Sequence, residues 1–178
     1  MELRPSFQIP ALIKSLTDVV LPAVDPANKL ALEQGQLVVG MLHLMAQRLP
    51  LQYRYDRHEL VSYVALSDQL LTQAATIAEA AAERQALTEA AADARALLAR
   101  AGAEPAEIEA ANSLLRERVG ALITAAATTA DTAALRSINT TVMTHAEAQL
   151  LRERAWVALQ GWEGPAAALP AVETLIAR

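Results

Sequence analysis

Residues 56–101 contain neither glycine nor proline, the two residues that most often end a helix. Alanine, which has the highest helix propensity, supplies about 40 of the 178 residues, whereas aromatic residues supply 3%. Strands favour β-branched and aromatic side chains, so this composition disfavours a sheet. The sequence therefore predicts an all-α protein, with residues 56–101 as one long helix that can bend. Because Ser67 and Thr88 are suitable N-cap residues, two or three shorter helices are the alternative.

Residues 26–49 predict a second long helix whose apolar side chains cover most of its circumference. Asp25 is a suitable N-cap, Pro26 suits the first helical position, and Pro50 ends the helix. A helix that is apolar almost all round belongs inside a core rather than on a surface. We therefore expect this helix at the centre of an antiparallel bundle of about six helices.

Turn and cap residues bound the other predicted helices. Gly102 is a suitable C-terminal cap, Pro105 restarts a helix, and Thr129 or Asp131 caps the next one. The predicted order is an irregular arm over 1–8, then helices at 9–20, 26–49, 56–101, 105–126, 131–160 and 168–178.

An alanine-rich helical hairpin over residues 75–128 is the unusual part of this bundle. The connection around Gly102 is short, so the two helices on either side of it must be antiparallel. The hairpin carries few large side chains and cannot bury itself alone. It should therefore lie against the rest of the bundle or against a second copy. We predict a single domain over 1–178, in which the hairpin protrudes or pairs with a second copy to form a homodimer.

Charge and composition exclude several classes of protein. The formal net charge is −5 and the basic residues are scattered, which argues against nucleic-acid binding. The chain has no cysteine, and hence no disulfide, thiolate metal site or cysteine nucleophile. No apolar run reaches the ~18–20 residues of a membrane span, and the first residues do not resemble a signal peptide. We therefore expect a cytoplasmic, bacterial protein that binds neither nucleic acid nor membrane.

The motifs of enzyme active sites are absent from the sequence. There is no G-x-S-x-G turn, no histidine spaced for a catalytic triad, and no glycine-rich phosphate loop. The charged runs at 116–118 and 152–154 alternate in sign, which is typical of solvated helix faces, and we assign them no role. The sequence thus predicts no catalytic residue, no cofactor and no enzymatic activity.

One polar stripe on helix 26–49 is the candidate site. It comprises Glu33, Gln36, Gly40, His43 and Gln47. A pocket here would be lined by Gln36, Gly40, His43 and Gln47, with Tyr55 at its mouth. Gly35 and Gly40 each cost about 1 kcal/mol relative to alanine within a helix. Close packing of a crossing segment is the preferred explanation for both glycines, and a ligand gap is the alternative.

A metal site is the other alternative for the polar residues. The chain lacks the Glu-x-x-His pairs of di-iron bundles. The remaining option is His43, His58 and His145 with Glu33, and it requires tertiary packing to bring them together. Taken singly, His43 suits a hydrogen bond or a solvated position, His58 a charged helix start, and His145 the boundary of an apolar stripe.

The N-terminal third resembles a family of small all-helical bacterial proteins of unknown function. The resemblance covers IPALIKSLTDVVLPAVDPANKLALEQGQLVVGMLHLMAQRLPL, a short helix with a V-L-P-A turn and a long helix ending at R-L-P-L. Members are encoded beside phosphotransferase-like and acyl-CoA dehydrogenase-like enzymes. The resemblance implies an accessory role beside a partner enzyme and supplies no catalytic residues.

Two functions are consistent with these observations. The first is a non-enzymatic helical interaction or accessory protein that forms a homodimer. The second is a small-molecule- or metal-binding helical bundle with its site along the polar stripe of helix 26–49.

Overall fold

The computed structural model describes residues 4–161 and 169–176, and every regular element within them is helical. The predicted all-α class is confirmed. Turns of π-helix (Leu16–Val20) and 3₁₀-helix (Leu21–Ala23) follow the first α-helix. The α-helices in the described part are α1 (Pro5–Ser15), α2 (Lys29–Arg48), α3 (Gln52–Gln73), α4 (Ala81–Ala99), α5 (Pro105–Ala126), α6 (Thr132–Val157) and α7 (Val172–Leu175). The predicted start of the last helix at Ala168 lies outside the described residues.

Both N-terminal helices begin at residues other than those predicted. The first starts at Pro5, within the arm predicted to be irregular, because proline is tolerated at a first helical position. The second starts at Lys29 rather than Pro26. Its N-cap is Asn28, whose side chain accepts a hydrogen bond from the Ala31 amide at 3.1 Å. Asp25 instead accepts the Ala27 amide, within the preceding turn.

The prediction of one long helix over 56–101 is wrong. The chain leaves the helix after Gln73, and Ile77 is extended (φ −81°, ψ 104°) and buried before α4 begins. The guanidinium of Arg84 donates through Nη1 to the carbonyl oxygens of Ala74 (2.7 Å) and Ile77 (2.6 Å). Each carbonyl also accepts a backbone amide, from Ile77 and Ala80 respectively, so Arg84 adds a second hydrogen bond at each end of the break. Neither Ser67 nor Thr88 caps a helix, since each hydroxyl donates to a carbonyl one turn earlier.

The caps around α5 and α6 follow the prediction more closely. Pro105 begins α5, and Glu104 and Glu107 form a capping box. Asp131 caps α6 by accepting the Ala133 and Ala134 amides at 3.0 Å. Gly102, by contrast, is not a left-handed cap. In the described part of the chain only Gly161 has a positive φ, +74°, and it ends the last turn after α6.

The described residues form two compact units. The N-terminal unit comprises 4–52, 153–161 and 169–175, and the hairpin unit comprises 53–152 and 176. The prediction of one domain over 1–178 stays a prediction.

The hairpin unit buries the alanine-rich stripe that is predicted to lie against either the rest of the bundle or a second copy. Helices α4 and α5 pack along each other, and their facing residues join one apolar cluster with residues of α3 and with Ile138 of α6. The fully enclosed members include Leu60, Leu70, Leu87, Ile108, Leu115 and Leu122. The hairpin face is therefore covered within the monomer, and the argument for dimerisation through this hairpin no longer applies.

Helix α2 is not the buried centre of a bundle. Of its residues only Leu44 is buried, and several large apolar side chains face outward. The N-terminal unit packs α1 against α2. Arg48 joins the end of α2 to the end of α6, donating to the Trp156 carbonyl at 2.8 Å and the Ala155 carbonyl at 3.2 Å and lying over the Trp156 ring. The apolar pattern of a helix shows which of its faces are apolar, but it does not show whether another element covers those faces.

The two glycines of α2 are expected to respond differently to substitution by alanine. A Cβ at Gly35 would overlap Leu21 Cδ2, so the predicted close approach is confirmed there. Turning that terminal methyl aside offsets the gain in helix propensity, and Gly35→Ala should cost up to about 1 kcal/mol. A Cβ at Gly40 would meet only Gln160 Oε1, at 3.7 Å, and Gly40→Ala should stabilise by about 0.5–1 kcal/mol. Urea unfolding of both variants measures the difference. Equal effects would contradict the packing assigned to Gly35.

Within the described residues, no helix is both long enough and apolar enough to cross a bilayer.

Candidate functional site

The structure divides the predicted polar stripe of α2 between two surface clefts of the N-terminal unit. Gln36 and Gly40 line one cleft of about 440 Å³ with Glu33, Leu37, Leu159 and Gln160. His43 lines a second, of about 470 Å³, with residues of α1 and Thr17 and Asp18. Gln47 and Tyr55 line neither cleft. Glu33, Gln36, His43 and Gln47 are all exposed, as a solvated helix face would be.

The metal alternative receives no support from the geometry. Among the residues that the structure describes, no three histidine, aspartate or glutamate side chains are grouped to hold a metal ion. His43, His58, His145 and Glu33 therefore do not form the set that this alternative required. His58 and His145 share one neighbour, because the charge of Arg152 acts on both imidazoles.

A cleft of about 360 Å³ lies between α3 and α6 in the hairpin unit. Residues 141, 145, 148 and 152 of α6 recur at intervals of three and four and so share one helix face. The α3 side contributes smaller and polar groups. The lining consists of Ser62, Ala65, Leu66, Gln69, Thr140, Thr141, Thr144, His145, Ala148 and Arg152.

Arg152 is the exceptional member of this lining. It is only 7% exposed, and its Nη2 atom has no hydrogen-bond partner among the described residues. No ion pair joins Arg152 to a carboxylate among the described residues. The prediction that 152–154 form part of a solvated face is thus wrong for Arg152. A buried charge without a partner is costly, so this guanidinium calls for an explanation.

His145 lies beside Arg152 and is half-buried, which agrees with the predicted boundary position. Its ring packs against the Tyr63 ring with centroids 5.0 Å apart, and its Nε2 atom is enclosed without a hydrogen-bond partner. Burial, and secondly the positive charge of Arg152, lowers the pKa of His145 below its ordinary value of 6.5. The same two causes lower the pKa of His58. His145 therefore presents a neutral imidazole to the cleft at pH 7.

A hydrogen-bonded group behind the cleft holds Tyr63 in place. The Tyr63 hydroxyl donates to Gln149 Oε1 at 3.3 Å and accepts from Arg116 Nε at 3.3 Å. Arg116 also donates to Glu59 at 2.9 Å and stacks over the Tyr63 ring. The sequence predicts Arg116 only as part of a solvated helix face. In the structure it also contacts the Tyr63 ring, which packs on His145.

The stability of the fold is expected to fall as the pH drops below about 6.5. The unfolded chain binds a proton at His58 and His145 near their ordinary pKa, whereas the folded chain binds it only at lower pH. The unfolded state therefore holds more protons in that window, and stability rises with pH across it. Thermal melts at a series of pH values should show the decline.

In the double variant His58→Gln/His145→Gln, the melting temperature should fall less steeply between pH 6.5 and pH 4.5 than in the unmodified protein. Below that value carboxylates such as Glu107, whose pKa the Arg100 hydrogen bond lowers from 4.5, contribute as well. A double variant whose melts decline as steeply as those of the unmodified protein would contradict the assigned shifts.

A second surface of interest is the α2 apolar face, defined by Leu30, Leu37, Val38, Met41 and Met45. These side chains are between 47% and 67% exposed. At about 100° per residue they occupy roughly 100° of the helix circumference. Between residues 30 and 47 this arc contains no charged residue, and Gln34 is its polar member. Arg48, the next residue on the arc, directs its guanidinium to the carbonyls of Ala155 and Trp156.

Sequence reasoning missed Arg152, although one signal was present. Arg152 follows His145 by seven residues, which places both on the same face of a helix. That face also carries the buried residues Ile138 and Ala155. A charged residue aligned with an apolar stripe was the available indication that Arg152 is buried.

No protein-family model, curated protein or solved structure matches this chain.

Proposed function

We propose that the chain is a non-enzymatic helical accessory protein that forms a homodimer through the α2 apolar face. The observation that carries the proposal is the exposure of five large apolar side chains on one arc of α2. Contiguous apolar surface of this kind is typical of protein interfaces rather than of solvated helices. The proposal keeps the predicted homodimer and moves it from the hairpin to α2.

The composition of the face favours a second copy as its occupant. Two-fold dimers bring the same patch of both subunits together, so a charge close to the two-fold axis would meet its own copy. The α2 apolar face contains no charged residue. Gln34, within the same arc, carries both a donor and an acceptor and can pair with its own symmetry mate. The α2 apolar face is therefore better matched to the same face of a second copy than to a charged partner surface.

The accessory role rests on the missing catalytic motifs and on the resemblance to bacterial proteins encoded beside enzymes. In this role the dimer would work in the cytoplasm next to a partner enzyme. That enzyme would bind a part of the surface outside the α2 apolar face.

Met41→Glu is expected to convert the dimer to a monomer. Each dimer would place two carboxylates in a contact that excludes water, and burying a charge without a partner is strongly unfavourable. Light scattering coupled to size exclusion measures the mass directly. Since Met41 is 47% exposed, the variant should keep a cooperative melt.

The matched control is Met143→Glu, which adds the same charge at an exposed methionine of α6. This control should remain a dimer. A monomeric unmodified protein at micromolar concentration, or a Met41→Glu variant that still dimerises, would contradict the proposal. A monomer that acquires mass only with another protein would instead indicate a heterologous partner.

A further inference from the structure

We propose that the cleft between α3 and α6 binds a small organic oxyanion, a carboxylate or a phosphate ester, through the guanidinium of Arg152. The proposal is independent of the dimer and concerns a different surface. It rests on a buried cation, an enclosed imidazole nitrogen and a cleft that both side chains line.

The first step of the argument is the state of Arg152. Arginine remains protonated at any physiological pH, so burial cannot be relieved by loss of the proton. Its Nη2 atom is enclosed and has no hydrogen-bond partner among the described residues, and no described carboxylate forms an ion pair with Arg152. An anion entering the cleft would supply the missing charge and the missing acceptor together. The planar guanidinium also matches a two-oxygen acceptor better than a single-atom anion.

The second step concerns the other lining groups. Thr141 accepts a hydrogen bond from Gln73 at 2.7 Å, which leaves its own hydroxyl proton available for a ligand. The hydroxyls of Ser62 and Thr140 already donate to backbone carbonyls and are left as acceptors. A donor at Thr141, the amide of Gln69 and the neutral imidazole of His145 suit an oxyanion that also carries a hydroxyl or amine.

The third step is size. The cleft measures about 360 Å³, near the lower end of the range of about 300–1,000 Å³ typical of small-molecule sites. An inorganic ion would fill only part of it. Ala65, Leu66 and Ala148 offer apolar wall beside the polar groups. The occupant is therefore an organic molecule of metabolite size with its oxyanion at Arg152.

The test uses the full-length chain and two probes, inorganic phosphate and acetate, each titrated against chloride at equal ionic strength. Nuclear magnetic resonance follows the His145 ring and the Arg152 guanidinium. We expect at least one probe to shift both signals to saturation and to raise the pKa of His145, because a nearby negative charge favours the imidazolium. Phosphate alone would identify a phosphate ester, and acetate alone a carboxylate.

Variants assign the binding to Arg152. Arg152→Gln should weaken the binding of the probe about tenfold or more. Arg152→Lys keeps the charge without the planar fork, so its affinity should lie between those of Arg152→Gln and the unmodified protein. The matched control is Arg95→Gln, which removes the same charge from an exposed ion pair with Asp68 and should leave affinity within about twofold. Arg152→Gln should also melt at the same temperature or higher without probe, because it removes a buried unpaired charge.

Two results would overturn the proposal. One is that neither probe moves the His145 and Arg152 signals beyond the effect of chloride. The other is that Arg152→Gln binds the probe as tightly as the unmodified protein. Should Arg152→Gln fail to melt cooperatively, Arg152→Lys carries the comparison, and unchanged affinity in that variant counts against the proposal equally.

Discussion

Leu115→Ala is expected to destabilise the protein by about 3–5 kcal/mol, the largest effect of any single substitution considered. Leu115 lies on α5 with no exposed surface, within the cluster that joins the hairpin to α3. Removing three carbons from such a position loses the transfer free energy of the side chain and leaves a cavity that neighbours fill only partly. Urea unfolding followed by circular dichroism measures the change.

The adjacent residue provides the control. Leu114 is on the same helix and 37% exposed, so Leu114→Ala makes the identical chemical change at the surface. It should cost about 0.5 kcal/mol or less. The same two variants test whether Leu115 is buried within the monomer. If Leu115 were buried only against a second copy, the free energy lost in Leu115→Ala would depend on protein concentration. A Leu115→Ala effect that varied with protein concentration would contradict burial within the monomer.

Arg84→Met should have the second largest effect, about 2–3 kcal/mol. The Arg84 guanidinium holds the break between α3 and α4 by donating to the carbonyls of Ala74 and Ile77. Both bonds come from one nitrogen, Nη1, and both carbonyls also accept a backbone amide, so together they should contribute about as much as one hydrogen bond from a charged donor, about 1.5–3 kcal/mol. Methionine keeps the stem and removes both bonds. Thermal and urea unfolding report the loss. Arg84→Lys should lose less than Arg84→Met, because the ammonium keeps a charged donor although its shorter side chain places that donor differently.

Arg95 serves as the control on the same helix. It forms an ion pair with Asp68, and both side chains are about half exposed. Surface ion pairs contribute about 0–1 kcal/mol, so Arg95→Met should be nearly silent. Equal losses at Arg84 and Arg95 would mean that the carbonyl contacts do not stabilise the break.

The helical class and several helix ends could be predicted because their causes are local. Pro105 and Asp131 act through their own backbone and nearest amides, so their roles hold in the folded chain. The break after Gln73 is different. It needs no glycine or proline, because Ile77 enters the core and Arg84, ten residues after Ala74, donates to the carbonyls at both ends of the break. No local pattern at residues 73–77 carries that information.

The candidate sites show the same division. The polar stripe of α2 was identified correctly as a feature of one helix, and it remained a solvated face divided between two clefts. The cleft beside Arg152 depends on which face of α6 meets α3, a choice that tertiary packing makes. The burial of Arg152 follows from that choice, whereas its sequence neighbours Glu153 and Arg154 suggested a surface charge.

The positions of the tryptophan and tyrosine residues, including Trp156 beneath Arg48, have a spectroscopic consequence. The cation lies over the Trp156 ring, 5.6 Å from its centroid. Both tryptophans of the chain, at positions 156 and 162, follow residue 152, whereas its three tyrosines, at 53, 55 and 63, all precede it. The emission of Trp156 therefore originates in the N-terminal unit, while phenol absorption originates within the hairpin unit. Trp156 fluorescence and tyrosine absorbance can follow the melting of each unit without any attached label.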